Sequence, residues 1–343
     1  METLKYTLSD SNLQTLLQAL IKSERKVIAP VRTSHKVLFK QVSDSSQVCS
    51  GHIQTTLSAK DLLFPKTEEL FKYRKVGKEV DMNDFSYNDI PETVLWGCRP
   101  CDAAAFAPLN GIFNWDCSDR IFNERKARIT VVSFGCTRHD DACFCTSVNG
   151  GPGNTAGSDI LITSTGNGNH LAEIITEKGR VLVEKYNSLF DRNGVEIDKD
   201  AFLTQLYKAF DAVEIKKRLD ASFNTDIWQK QSARCLGCGA CAYVCPACAC
   251  FDIQDEKHGN KGRRVRCWDS CGFGLFTLHT SGHNPRATQA RRWRQRLMHK
   301  FSYMPSRLNV IGCSGCGRCS RACPVDMNIS EHLTTLTKVS HEQ

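Results

Sequence analysis

The sequence predicts an α+β protein in two parts. An α/β domain covers residues 1–222. A helical, loop-rich domain covers 223–343, built on two copies of one cysteine motif with an arginine-rich insertion at 252–311. Three observations predict this. Up to about residue 220, runs rich in β-branched residues recur at 26–31, 36–42, 93–96, 128–134, 159–165 and 180–185, and read as strands. Helical patterns lie among them at 60–73 and 201–219, the latter with Phe202, Leu206, Phe210 and Val213 on one side. From Arg234 the composition changes: 12 of the 19 cysteines fall in the last 110 residues.

The chain opens with a helix that Ser9 or Ser11 can cap, with Leu13, Leu16, Leu17 and Leu20 on one face. It has no continuous apolar core of the kind a secretory leader carries, and no window approaches the ~18 apolar residues of a membrane span. Nineteen cysteines in 343 residues therefore read as a metal protein of a reducing cytoplasm rather than a secreted disulfide scaffold. The hydrophobic fraction of 41% and charged fraction of 24% are those of a chain able to bury an ordinary core.

The stretch 149–169, rich in Gly, Asn, Ser and Thr, surrounds one strand and is otherwise turn. Its GGPGNTAG lacks the Gly-Lys-Ser/Thr ending and following helix of a phosphate loop.

Cys235, Cys238, Cys241 and Cys245-Pro246 form C-x2-C-x2-C-x3-C-P, and Cys313, Cys316, Cys319 and Cys323-Pro324 repeat it. This is the spacing that holds two [4Fe–4S] clusters in bacterial ferredoxins, where the fourth cysteine of each run ligates the other run's cluster. The expected sets are Cys235, Cys238, Cys241 and Cys323 for cluster one, and Cys313, Cys316, Cys319 and Cys245 for cluster two. Gly237, Gly239, Gly315 and Gly317 would let the backbone approach the inorganic sulfides. Zinc also uses C-x2-C pairs, but leaves the third cysteine and the x3-C-P ending unexplained. Cluster ligation also discounts the formal charge of +8 as a nucleic-acid signal. Each cluster with four thiolates carries about −2, so three would leave about +2.

Two further cysteine groups follow expected strands: Gly97-Cys98-Arg99-Pro100-Cys101-Asp102, and Cys136 with Cys143 and Cys145. Adjacent strand ends of an α/β layer are where such sheets build sites, and five cysteines there suffice for a third [4Fe–4S] cluster. The alternative is that they are buried small apolar residues. Cys248, Cys250, Cys267 and Cys271 either hold a fourth cluster or pack around cluster one. Cys49 and Cys117, with no partners in sequence, read as buried structural residues.

The segments GCRPCD, CTRHDDACFCTS, CLGCGACAYVCPACACFD, RCWDSC, SGHNPR and RRWRQRLMHKF, in that order, resemble the electron-transfer subunit of anaerobic sulfite reductases and, equally, the beta subunit of cytoplasmic sulfhydrogenases. The resemblance runs from about residue 90 to Pro324, and the first 80 residues are only compatible with it. It implies that Cys101, Cys136, Cys143 and Cys145 are the ligands of the third cluster. Cys98 departs from the family pattern and is either a spare thiol or a substitute for Cys101. Cys248, Cys250 and Cys271 have matches in the family, whereas Cys267 has none. The implied role is a relay of single electrons through [4Fe–4S] clusters, between a catalytic redox subunit and a flavin- and NAD(P)-binding subunit, in a cytoplasmic oxidoreductase complex of anaerobic metabolism. No membrane or nucleic-acid partner is expected.

The residues themselves agree with a role lacking substrate chemistry, since the sequence has no Ser-His-Asp signature, no Walker or Rossmann glycine loop and no His-Glu-x-x-His. Two other classes stay open at this point: reduction of a substrate at an incompletely ligated cluster, and an iron–sulfur redox sensor or nucleic-acid binder. Residues 286–300 form a plausible helix with Trp293, Leu297 and Phe301 as an apolar stripe. Its arginines do not fall on one face; they are solvated, neutralise cluster charge, or meet an acidic partner. His139, between Cys136 and Cys143, reads as polar loop. His279 and His283 could orient the insertion. After Asn328 the sequence reads as a short polar helix.

Overall fold

The computed structural model describes residues 3–192 and 197–338. Its strands are β1 (Leu4–Ser9), β2 (Lys26–Thr33), β3 (Lys36–Gln41), β4 (Thr67–Val76), β5 (Glu79–Asp84), β6 (Thr93–Cys98), β7 (Ile129–Phe134), β8 (Ile160–Gly166), β9 (Asn169–Ile174), β10 (Phe251–His258) and β11 (Lys261–Trp268). Seven of them form one mixed sheet in the order β1-β9-β8-β7-β6-β2-β3. The central β2, β6, β7 and β8 are parallel, while β1, β9 and β3 add antiparallel edges.

Every residue of β6 is buried, as a parallel strand covered on both faces requires. Its side chains alternate between two cores. Val94 and Trp96 face the helix Asp10–Ile21 through Leu16, Leu17 and Leu20. Leu95 faces Phe64, Leu109, Phe113 and Phe122 on the other side. Ser9 caps the first helix, its Oγ accepting from Asn12 N at 3.2 Å.

Five of the six expected strands are present as β2, β3, β6, β7 and β8. The sixth, 180–185, belongs to the helix Glu177–Lys185, which Thr176 caps by accepting from Gly179 N. Its apolar pair Leu182 and Val183 packs sideways on the sheet. The expected helix 60–73 is instead a short 3-10 turn, Ala59–Leu62, followed by β4. Pro65 stands between them and removes a helical donor. Of 201–219, only the part within Ala212–Ala221 is α-helical, beginning where Asp211 accepts from Val213 N and Glu214 N. Phe210 is buried as expected, but Val213 faces solvent.

A second sheet crosses the expected domain boundary at residue 222. Its order is β10-β11-β4-β5, antiparallel throughout, so β4 from the first part pairs with β11 from the second. A buried charge group fixes that pairing. Arg266 Nε donates to Glu68 Oε2 at 3.1 Å, its Nη1 to Asp119 at 2.5 Å, and Arg125 Nε to Glu68 Oε1 at 3.0 Å.

Beyond residue 222 the chain is short helices and loops apart from β10 and β11. The arginine-rich segment is the helix Gln289–Met298, a wider turn His299–Tyr303, and the helix Met304–Leu308. Trp293, Leu297 and Phe301 are buried together, as their spacing predicts. The charges are more ordered than the sequence implies: Arg296 and Lys300, one turn apart, both point inward and are buried. The tail helix, Ile329–Lys338, is amphipathic rather than polar, burying Ile329, Leu333 and Leu336. The residues after Lys338 lie outside those described.

Candidate metal centre

All 19 cysteines are free thiols. The two motifs adopt the same backbone. Gly237 and Gly239 have φ of +68° and +72°, Gly315 and Gly317 of +64° and +70°. Each second glycine leads into a four-residue helix, Ala240–Tyr243 in one and Arg318–Arg321 in the other. The left-handed turns let three cysteines of each run curl round a common volume.

Cys235, Cys238, Cys241 and Cys323, the set expected for cluster one, line a single cavity closed by Trp293, Arg296 and Met327. Gln289 Nε2 donates to Cys235 Sγ at 3.0 Å and Met327 N to Cys323 Sγ at 3.2 Å. For the second set, Cys313 has Cys316 and Cys319 as neighbours. Lys300 Nζ joins this loop to Cys245, donating to Cys245 Sγ at 3.3 Å and to Gly312 O at 2.6 Å.

The N-terminal cysteines follow the ends of two neighbouring parallel strands, β6 and β7. Cys136 and Cys145 neighbour Cys143, and Cys101 neighbours both Cys136 and Cys316. Cys101, Cys145 and Cys313 line a cavity of about 240 Å³. Gln54 Nε2 donates to Cys101 Sγ at 3.1 Å, and Arg321 Nη2 to Cys143 Sγ at 3.2 Å. Arg99 ties the two loops, its guanidinium donating to Gly135 O and His52 O. Cys98 is set apart, fully buried in the core with Leu95 and Phe106. Among the described residues no three His, Cys or carboxylate side chains are placed to hold a single metal ion; the four thiols of the first set line a cavity instead.

Gly315 and Gly317 have a further role that the sequence alone does not reveal. A Cβ at Gly315 would lie 2.4 Å from Cys145 Cα, and one at Gly317 2.3 Å from Ala142 O. Phe144 N donates to Gly315 O at 2.9 Å. The N-terminal cysteine loop is thus seated directly on the second ferredoxin-type loop.

Two ion pairs lock this contact. Arg318, between Gly317 and Cys319, meets Asp102, beside Cys101, with Nη1 2.7 Å from Oδ1 and both side chains 1% exposed. Arg318 also donates to Thr55 O at 2.8 Å and Gln54 Oε1 at 2.5 Å. Arg321 grips Asp140 with Nε 2.8 Å from Oδ2, and that contact holds the Asp140 carboxyl below its usual range. The signal was present, since Asp102 and Arg318 lie inside the cysteine motifs, but nothing in the sequence paired them.

Burial disfavours the thiolate at four of these cysteines, pushing Cys136 and Cys241 up to about 11 and Cys145 and Cys313 up to about 12. Buried cations oppose this. Lys60, Arg296 and Lys300 are each at most 5% exposed. Burial would lower Lys300, but the Cys245 and Cys248 sulfurs hold it above its ordinary value. Lys60 Nζ donates to Ala242 O and Cys248 O at 3.2 and 2.9 Å and lies over the Trp268 ring. Thiol donors around cavities, N–H groups aimed at sulfur and buried cations with no carboxylate partner among the described residues together fit anionic iron–sulfur clusters.

The remaining sequence-selected residues fall elsewhere. Cys267 Sγ faces Thr67 Oγ1 at 3.8 Å, away from the cavities. Cys245 and Cys248 neighbour each other, as do Cys250 and Cys271. Cys117 is exposed and Cys49 half-buried, so neither is the buried structural residue expected. Cys117 sits in the turn after the helix Phe106–Phe113, where the chain runs along the surface. His139 meets Thr204 Oγ1 at 2.7 Å, and the rings of His279 and His283 pack on each other in an exposed loop.

Residues 234–327 match the family model described as a 4Fe-4S dicluster domain. Over 333 aligned positions, 93% of this chain and 93% of the relative, the sequence is 27% identical to sulfhydrogenase 2 subunit beta of Pyrococcus furiosus. This chain is a homologue of that subunit. The homology therefore reaches past residues 90–324, where the motifs alone supported it, into the N-terminal strands. No solved structure matches the chain. Among the described residues, no helix is long and apolar enough to cross a membrane.

Proposed function

We propose that this sulfhydrogenase-beta homologue is the electron-transfer subunit of a cytoplasmic, multi-subunit oxidoreductase. It would relay single electrons through three [4Fe–4S] clusters between a catalytic or ferredoxin-like partner and a flavin- and NAD(P)-binding subunit. The observation that supports this reading is the seating of the Ala142–Cys145 backbone on Gly315 and Gly317, which brings the N-terminal cysteine loop against the second ferredoxin-type loop. Cys101, Cys136, Cys143 and Cys145 would hold the third cluster. Cys313, Cys316, Cys319 and Cys245 follow in the middle, and Cys235, Cys238, Cys241 and Cys323 at the far end.

Bound there, a [4Fe–4S] cluster supplies one-electron exchange with little change of shape. The chain's own residues do the rest. The thiols bind iron as thiolates, and the donors Gln54, Gln289, Lys300, Arg321 and the amide of Met327 stabilise charge on sulfur, raising the potential. Arg296 and Lys300 offset the negative charge in the interior. Trp293, Leu297 and Phe301 keep water from the far end of the row. Each cysteine group supplies four thiols, so no site is left short of a ligand in a way that favours substrate reduction on the chain itself.

The test is anaerobic iron and acid-labile sulfide content with EPR of the dithionite-reduced protein, beside a Cys136→Ser variant. The expected result is about twelve irons per chain, falling to about eight in the variant. About eight in both would remove the third cluster and make the N-terminal loops a docking surface.

A further inference from the structure

Three thiols remain unused close to the row: Cys248, Cys250 and Cys271. Two of them are brought together by the backbone. The hairpin of β10 and β11 closes at the pair Phe251↔Trp268. One residue beyond, Asp269 N donates to Cys250 O at 2.9 Å, which extends the ladder to its neck. Two residues further, Cys271 lies beside Cys250, each thiol the other's nearest electrostatic neighbour. The neck is anchored from below, with Trp268 Nε1 donating to Phe64 O at 2.9 Å. Cys271 also lines the cavity ringed by Cys235, Cys238, Cys241 and Cys323.

We propose that Cys250 and Cys271 form a redox-active dithiol/disulfide couple fed by the cluster at Cys235, Cys238, Cys241 and Cys323. The proposal rests on the relay reading for its electron source. In the oxidised form a Cys250–Cys271 S–S bond closes the hairpin neck. Opening that bond takes two electrons, which two bound [4Fe–4S] clusters of the row would supply one each. The S–S bond breaks and each sulfur takes one proton from water. Against clusters at the low end of their range of potentials, such a couple is the electron acceptor. Re-formation needs a two-electron oxidant, and a soluble organic disulfide supplies it. Exchange at one thiol forms a mixed disulfide, the other thiol displaces it, and two small thiols leave. The couple turns single electrons from the row into a two-electron store.

The test uses the anaerobically purified protein with its clusters. It is oxidised with a soluble organic disulfide, free thiols are blocked, and the peptides are mapped. The expected result is a Cys250–Cys271 bridge. A reductive titration should take up two electrons per chain beyond those of the clusters. Both features should vanish in Cys250→Ser and in Cys271→Ser and persist in Cys267→Ser, with iron unchanged in all three. No bridge in the unmodified protein overturns the proposal. So does a loss of about four irons per chain in Cys271→Ser, which would make these thiols ligands of a fourth cluster. Fewer than about eight irons in the unmodified protein would sink the relay reading instead, while the bridge is still judged from the peptides.

Discussion

Arg318 is a residue whose neighbours in sequence suggest only a cluster loop. In space its guanidinium is spent on Asp102, Gln54 and Thr55, all from the first third of the chain. With both partners 1% exposed, removing one leaves an uncompensated buried charge, which costs about 3–5 kcal/mol. Arg318→Ala should lower the unfolding free energy by that order, read in anaerobic denaturant titration, and should release iron first from the N-terminal set. A variant as stable as the parent would show that the pair carries no net stability. The cysteines of each ferredoxin-type run could be grouped from sequence because each run is local and its spacing is geometric. The Asp102–Arg318 pair could not, because its members are 216 residues apart and each motif is complete without the other.

At the scale of elements, the two cysteine loops share one backbone but differ in what they face. Beside Gly237 the nearest atom to an added Cβ is the mobile end of Gln289, at 3.2 Å. Beside Gly315 it is the main chain of Cys145, at 2.4 Å. Either Gly→Ala change forces a left-handed φ on a residue with a Cβ, at about 1–2 kcal/mol. Only Gly315→Ala must also push another loop away. Iron analysis should show Gly315→Ala losing about four irons and Gly237→Ala keeping most of its complement; equal losses would mean that the loops do not depend on their contact. The central strands were legible because β-branched runs buried on both faces leave a continuous apolar signature. The strand β4 was not, since TEELFKYRKV satisfies helical and strand spacing alike, and what decides it is pairing with β11 from the far side of the chain.

For the whole molecule, one sheet and several ion pairs span the sequence division at residue 222. Glu68, Lys60, Asp102 and Asp140 of the first part partner Arg266, Cys248, Arg318 and Arg321 of the second. A chain consisting of residues 223–343 alone would leave Arg266 and Arg318 without their carboxylates and β11 without β4. We expect such a fragment to show no cooperative thermal transition by circular dichroism and to hold fewer than about eight irons after reconstitution. A sharp transition with full iron would establish the second part as an independent domain.

The seating of the Cys145 loop on Gly315 also imposes an order in time. The chain leaves the ribosome N-terminus first, at roughly 5–20 residues per second. The 216 residues between Asp102 and Arg318 therefore take on the order of ten to forty seconds to follow. Through most of that interval the N-terminal thiols are already made, while the glycines that seat them and the arginine that neutralises Asp102 are not. Iron delivered early would meet an open, water-exposed loop. The N-terminal cysteine loop thus waits for an arginine 216 residues downstream of Asp102.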